Sequence, residues 1–351
     1  MRSRLPVPEL TRIDIEAKPA PRAGFFPFAS RLALPPVAGL MFAAACWGIG
    51  TVVSKQAVAE IQPLTLLPIQ LVSSVLLLGV ITRLRGERLP AGREGRLLSR
   101  LGLLNPGLAY ALSLVGLTQI TASLAVLLWA GEPILILLLA AVVLGDRIGP
   151  SIVVSSLAAV AGLGLVVLDP SASGSAVGIG LTVAGVAVCA VYTVATRRWL
   201  LGSDATFGIV LGQQLYALGL ALFVLVGLLA AGQPMLPRQV SPGAALSAVV
   251  SGLLYYAFAY SFYISALRRV RASIAAASFY LIPVFGLAGA WVTGERLEPI
   301  QWLGAVVVVA AVAWITVRAG QAPGGNEAAL QPSSAAASAQ MAIAPRAEIR
   351  R

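Results

Sequence analysis

Apolar residues run along this chain in long blocks, divided by short stretches that carry arginine, glycine, proline or other polar residues. A helix needs about 20 apolar residues to cross a hydrocarbon core roughly 30 Å thick. The blocks predict ten such spans, at roughly 36–56, 63–82, 98–117, 121–144, 150–168, 176–196, 205–230, 244–266, 272–293 and 299–317. Within lipid every backbone polar group must be satisfied inside the segment, so the expected fold class is an all-α integral membrane protein.

Composition agrees with that pattern. Of 351 residues, 58% are hydrophobic and only 11% charged, against about a quarter charged in soluble chains. The absence of histidine excludes histidine-based triads, zinc ligands and proton relays, and no GxxxxGK[ST] run is present for ATP-driven transport. Cys46 and Cys189 both lie inside apolar spans, which argues against a disulfide framework or a metal cluster. No cofactor is implied.

The net charge of +11 needs no nucleic-acid partner, because its arginines cluster at span ends. Alternating the loops from a cytoplasmic N-terminus places twenty-two Lys/Arg on one side and three (Lys55, Arg238 and Arg296) on the other. The positive-inside rule then makes both termini cytoplasmic, in a bacterial-type inner membrane with an anionic inner face. Residues 1–34 lack the apolar stretch of a secretory signal and read as a cytoplasmic N-terminal tail. Residues 320–351, rich in Ala, Ser, Pro and Gly, read as a disordered cytoplasmic C-terminal tail.

The chain repeats itself. At an offset of 150, Ala109 to Ala140 matches Ala259 to Ala290 at nine of 32 positions, among them Tyr110/Tyr260, Ala122/Ala272, Ser123/Ser273 and Pro133/Pro283. One residue out of that register, "GDRIGP" from Gly145 answers "GERLEP" from Gly294, and at a shorter offset Cys46 faces Cys189 while Lys55 faces Arg198. The expected units are residues 35–169 and 170–319, each holding five spans. Five is odd, so the second unit would enter the membrane with opposite polarity, and exchanging the conformations of two such inverted units gives alternating access.

Those features carry a resemblance. The "CWGIG" of the first span, with Trp47 and Gly48, the stretches "TASLAVLLWAGEPI" and "RASIAAASFYLIPV", and the closing "LGDRI" and "TGERL" resemble EamA-type members of the drug/metabolite transporter superfamily over residues 36 to 318. The resemblance implies a substrate cavity enclosed by the first four spans of each unit, the fifth and tenth being peripheral. It also implies that export of small metabolites is the commonest activity.

Glu132 carries the sharpest chemistry. It lies eleven residues into span 4, about 16 Å deep at 1.5 Å per residue, where a charge costs at least about 2.5 kcal/mol. It should face a cavity or a partner. The neighbouring proline recurs in both units as Pro133 and Pro283, whereas position 282 is isoleucine, so the acid belongs to one half alone. Each proline removes a helical hydrogen bond and frees a carbonyl, and broken spans at matching positions point to a transporter site. A protonated glutamate capping the freed carbonyls is the competing structural role.

Trp129 and Glu132 are three apart and are expected to share a helix face, answered in span 9 by Phe279 and Tyr280. Tyr256, Tyr260 and Tyr263 follow a single stripe in span 8, and Tyr110 pairs with Tyr260 by repeat. Tyr110, Tyr256 and Tyr260 are expected to form an aromatic cavity wall, an interfacial belt being the alternative. Asn105, before Pro106, is a further candidate contact. Lys55 is the candidate outer gate, through Glu60 or an anionic substrate.

The expected function is secondary transport, export of an amino-acid-like or amphipathic small molecule, with uptake as the alternative direction. Proton or ion coupling and homodimer assembly are left open. A membrane enzyme would need converging catalytic groups at depth, and the spans offer one carboxylate and no histidine. A scaffold role would not require matched prolines in an intact repeat.

Overall fold

The computed structural model describes residues 36–144, 150–167, 174–199, 206–267, 279 and 281–321. Both tails, residues 1–34 and most of 320–351, lie outside the described residues, as do Tyr280, Asp146 and the arginines Arg268, Arg269 and Arg271. The described elements are helical, apart from an isolated bridge between Ile120 and Gly174.

In chain order the helices are α1 (Pro36–Val58), α2 (Pro63–Leu84), α3 (Gly92–Arg100), α4 (Ala109–Leu117), α5 (Ala122–Trp129), α6 (Glu132–Leu144), α7 (Pro150–Val167), α8 (Ala176–Trp199), α9 (Thr206–Ala230), α10 (Pro242–Gly252), α11 (Ala259–Leu267), α12 (Leu281–Val292) and α13 (Pro299–Gln321). Five segments are long and apolar enough to cross a membrane: Ala38–Val58, Pro63–Leu84, Ala176–Thr196, Phe207–Ala230 and Pro242–Ala266. Shorter apolar helices cover Ala122–Ile136, Leu281–Val292 and Pro299–Ala311.

Local chemistry explains where these helices start and stop. Five of them open on proline, which lacks only an N–H that the first turn could not use. Thr121 and Ser241 cap α5 and α10, accepting from the N–H groups of Leu124 and Ala244 at 3.1 Å. Helix α9 ends at Gly232 (φ 76°), whose N–H donates to Leu229 O while Gln233 N donates to Leu228 O, both at 3.0 Å. Gly294 (φ 101°) closes α12 in the same way, with Glu295 N donating to Ala290 O. This paired closure needs a left-handed residue, hence glycine.

Two spans expected to be continuous are interrupted. Wide π-helical turns at Leu104–Leu108 and Leu253–Phe258 join α4 and α11 to the helices before them. Asn105 leaves helical geometry (φ −142°, ψ 120°), because the residue before a proline is pushed toward extended backbone.

Packing pairs the two halves. Helix α1 lies against α10, α11 and α12, and α8 lies against α4, α5 and α6; α2 meets α9, and α7 meets α13. Glycine permits the closest approaches. A Cβ on Gly252 would sit 2.5 Å from the carbonyl oxygen of Gln70, and one on Gly102 would fall on the carbonyl of Gln213. Gly102 and Gly252 are 150 residues apart, and Gln70 and Gln213 are 143 apart, the two offsets of the sequence repeat. Each half therefore offers a glycine to the other half's glutamine.

Candidate functional site

The span that carries Glu132 breaks immediately before it. Pro133 has no N–H for the carbonyl of Trp129, so α5 stops at Trp129. Ala130 and Gly131 form a turn, with Gly131 N donating to Leu128 O at 3.1 Å. Ile134 and Leu135 then restart the helix on the carbonyl of Gly131 at 3.1 and 3.3 Å. Trp129 and Glu132 therefore do not share one regular helix face, as the spacing had implied. They flank a bend. Phe279 precedes Pro283 in the same way, accepting from Ile282 N at 3.1 Å.

The two proline segments meet at a small cavity of about 30 Å³, lined by Trp129, Ala130, Glu132 and Pro133 from one half and Phe279, Ile282 and Pro283 from the other, with Val309 of α13. Its lining contains three pairs at the 150-residue offset: Trp129/Phe279, Glu132/Ile282 and Pro133/Pro283. Glu132 is the lone acid among them. Thr193 of α8 donates to Glu132 Oε1 at 3.5 Å.

A second small cavity, of about 20 Å³, shares Trp129 with the first. Thr51, Ser54, Ser113 and Thr182 give it hydroxyls, and Tyr110, Tyr255, Tyr256 and Trp129 give it aromatic walls. Tyr110 holds the centre, edge-on to Tyr255 (4.9 Å) and Tyr256 (5.1 Å) and stacked on Trp129 (5.4 Å, 17°). Thr51 Oγ1 lies 3.1 Å from the Tyr255 hydroxyl. The hydroxyl of Ser113 is buried with no hydrogen-bond partner.

The span 8 tyrosines separate instead of forming one stripe, because the wide turn at Leu253–Phe258 shifts their register. Tyr256 faces the hydroxyl-lined cavity. Tyr260 and Tyr263 pack on Trp47, with centroids at 5.5 and 5.6 Å, and Phe279 completes that cluster at 5.6 Å. Asn105 Nδ2 donates to the Tyr260 hydroxyl at 2.9 Å, leaving Asn105 Oδ1 buried without a partner.

At the end of the helices where α4 meets α5, Lys55 donates to the carbonyls of Leu117 and Ile120 at 2.7 and 2.6 Å. The expected pairing with Glu60 is not formed, since Glu60 instead accepts from the N–H and hydroxyl of Ser241, both at 2.7 Å. Glu295 accepts from Ala122 N (2.9 Å), Ser123 N (3.0 Å) and Ser123 Oγ (2.7 Å). Glu87 accepts from Phe207 N (2.8 Å) and Gly208 N (3.1 Å). Each of these three carboxylates thus closes the start of a helix in the other half of the chain, where helix polarity favours a negative charge.

The structure brings Glu132, Trp129, Phe279, Pro133 and Pro283 around one cavity, sets Tyr110 and Tyr256 with Trp129 around the next, and leaves Asn105 and Tyr260 in the adjoining cluster. Sequence reading missed Tyr255, the four hydroxyls and the capping role of Glu295, whose only signal was the repeated "GDRIGP" and "GERLEP". Among the described residues no group of three His, Cys, Asp or Glu side chains could hold a metal ion.

Five apolar helices long enough to cross a bilayer, with shorter apolar helices meeting at matched prolines, describe a multi-pass membrane protein. The chain belongs to the EamA-like transporter family, whose model matches it twice, over residues 34–168 and 176–317. It is thus a transporter of the drug/metabolite superfamily, working on small molecules in a bilayer. Sixteen solved chains match. One, described only as "Crystal structure of protein", aligns over 82% of this chain and 98% of its own at 19% identity and a TM-score of 0.60, a likeness of fold. No curated protein matches.

Proposed function

We propose that this protein is a secondary exporter of a small, amino-acid-like or amphipathic solute, working by alternating access in a bacterial-type inner membrane. Its ten spans form two inverted five-helix repeats with both termini in the cytoplasm. The exchanged contacts support the inversion: α1 on α10 and α11 mirrors α8 on α4, and Gly252 on Gln70 mirrors Gly102 on Gln213.

One observation carries the reading. The matched prolines of the two repeats line a single cavity in which one repeat contributes a carboxylate and the other an isoleucine. Glu132 is the solute- or ion-binding group, Trp129, Phe279, Tyr110 and Tyr256 form the walls, and Lys55 closes the outer end by holding the carbonyls at the close of α4. Counterflow of radiolabelled amino acids and amphipathic amines in proteoliposomes tests this. Exchange without chemical change is expected, and Glu132→Gln removes binding or its pH dependence while the protein stays folded. Unchanged kinetics of Glu132→Gln across pH would refute the site.

A further inference from the structure

Trp129 is the one residue common to the linings of both cavities. The spaces it separates differ in chemistry. On one side stand four Ser/Thr hydroxyls, among them that of Ser113, buried and unpartnered. On the other stand prolines, Phe279, Ile282 and the carboxyl group of Glu132. A buried hydroxyl without a partner is costly in a dry site and is satisfied by a polar ligand atom or water.

The position of Trp129 suits it to movement. It is the last residue of α5, and the regular helical ladder ends one residue past it, with Ala130 N on Val126 O before Gly131 N turns to Leu128 O. Its indole rests flat on Tyr110, a stacking contact that can be exchanged for another aromatic surface. Phe279 occupies the matching place in the other half but lines only the cavity of Glu132.

We infer that Trp129 is a movable partition that divides a single two-chamber binding site, and that it sets which solutes reach Glu132. When the indole leaves Tyr110, a solute held by its polar end among Ser113, Thr182 and Thr51 extends its basic nitrogen and apolar body to Glu132 and the face of Phe279. Ammonium groups are favoured there by the carboxylate and the aromatic ring together. The favoured class is a solute with a hydrogen-bonding end and an amine-bearing apolar end. That assignment of solute rests on the transport reading, whereas the partition itself does not.

The test is the accessibility of Glu132 in the purified full-length chain. A water-soluble carbodiimide with glycine ethyl ester converts a reachable carboxyl group to an amide, which peptide mass spectrometry locates. Trp129→Val is expected to raise the rate of Glu132 modification at least tenfold, and Trp129→Phe, which retains a stacking ring, to leave it within twofold of wild type. Phe279→Val is expected to leave it within twofold as well. If Trp129→Val modifies at the wild-type rate, or Phe279→Val rises as far as Trp129→Val, the partition is overturned. Where Trp129→Val does not fold, Trp129→Leu carries the same comparison. Labelling as expected in a protein that shows no counterflow would sink the transport reading and leave the partition standing.

Discussion

Removing the Glu295 side chain isolates what a carboxylate from one repeat contributes to a helix start in the other. It accepts three hydrogen bonds, of 2.9, 3.0 and 2.7 Å, from Ala122 N, Ser123 N and Ser123 Oγ. Ala122 is 0% and Ser123 2% exposed, so neither donor gains ready access to water when the acceptor goes. A buried donor left unsatisfied costs about 1–3 kcal/mol, and loss of a negative charge at a helix N-terminus adds about 0.3–1 kcal/mol. Thr121 still caps Leu124 N, so the helix itself persists. Glu295→Ala should therefore destabilise by about 3 kcal/mol or more. Glu295→Gln keeps one acceptor oxygen and should lose about half of that. Unfolding in mixed micelles of rising SDS fraction, followed by tryptophan fluorescence, gives both values. A Ser123→Ala cycle should show a coupling of about 1–2 kcal/mol for the hydroxyl bond. Glu295→Ala within 0.5 kcal/mol of wild type, or strict additivity with Ser123→Ala, would refute the clasp; roughly that margin is the error of such cycles.

Gly252→Ala forces a Cβ to 2.5 Å from Gln70 O, while Gln70 Nε2 donates to Ser54 at 3.0 Å and Ser251 at 2.7 Å. Overpacking at about 1–3 kcal/mol, with weakened hydrogen bonds, outweighs the helix propensity of alanine at about 1 kcal/mol. The same unfolding assay should show a loss, as it should for Gly102→Ala, and a Gly252→Ala protein as stable as wild type would contradict the close contact. Glu60 is held below the usual carboxylate range by the Ser241 backbone N–H and then by its hydroxyl. Because the folded pKa is the lower one, its stabilisation is complete above the unfolded value of about 4.3 and is lost as pH falls through the folded value. Glu60→Gln should flatten the acid limb of a stability–pH curve, and an unchanged limb would count against the Ser241 contact.

Apolar run length and the 150-residue offset made the helical class, the two-repeat family and the pairing of Pro133 with Pro283 legible from residues alone. Glu132, Trp129 and Phe279 stood out because an acid and large rings beside a proline are rare in such runs. The hydroxyls of Thr51, Ser54, Ser113 and Thr182 carried no comparable signal, since Ser and Thr are common in membrane helices and these four come from three different helices. The capping carboxylates were hidden by distance along the chain: Glu295 lies 173 residues from Ala122, and Glu87 lies 120 from Phe207. What places Glu295 is the left-handed Gly294 before it, and the Gly145–Asp146 pair that answers this dipeptide falls outside the described residues.

The hydroxyl-lined cavity has a cause in the sequence that goes beyond any one conformation. Tyr110 and Trp129 correspond by repeat to Tyr260 and Phe279, but Trp47 of the first half sits against both of the latter rings, at 5.5 and 5.6 Å. The counterpart of Trp47 at the 143-residue offset is Ala190, so no indole stands against Tyr110 and Trp129 from that position, and those two rings stack on each other. Ser113 corresponds to Tyr263, which fills its side of the cluster with a ring where Ser113 leaves room. One cluster thus spends large aromatics on packing where its counterpart leaves space beside hydroxyls. Prolines, close-approach glycines and their glutamine partners recur in both halves, where each glycine meets the other half's glutamine. Glu132, Trp47 and Ser113 do not recur, and the proposed binding site draws its acid and its unpartnered hydroxyl from two of those unmatched positions.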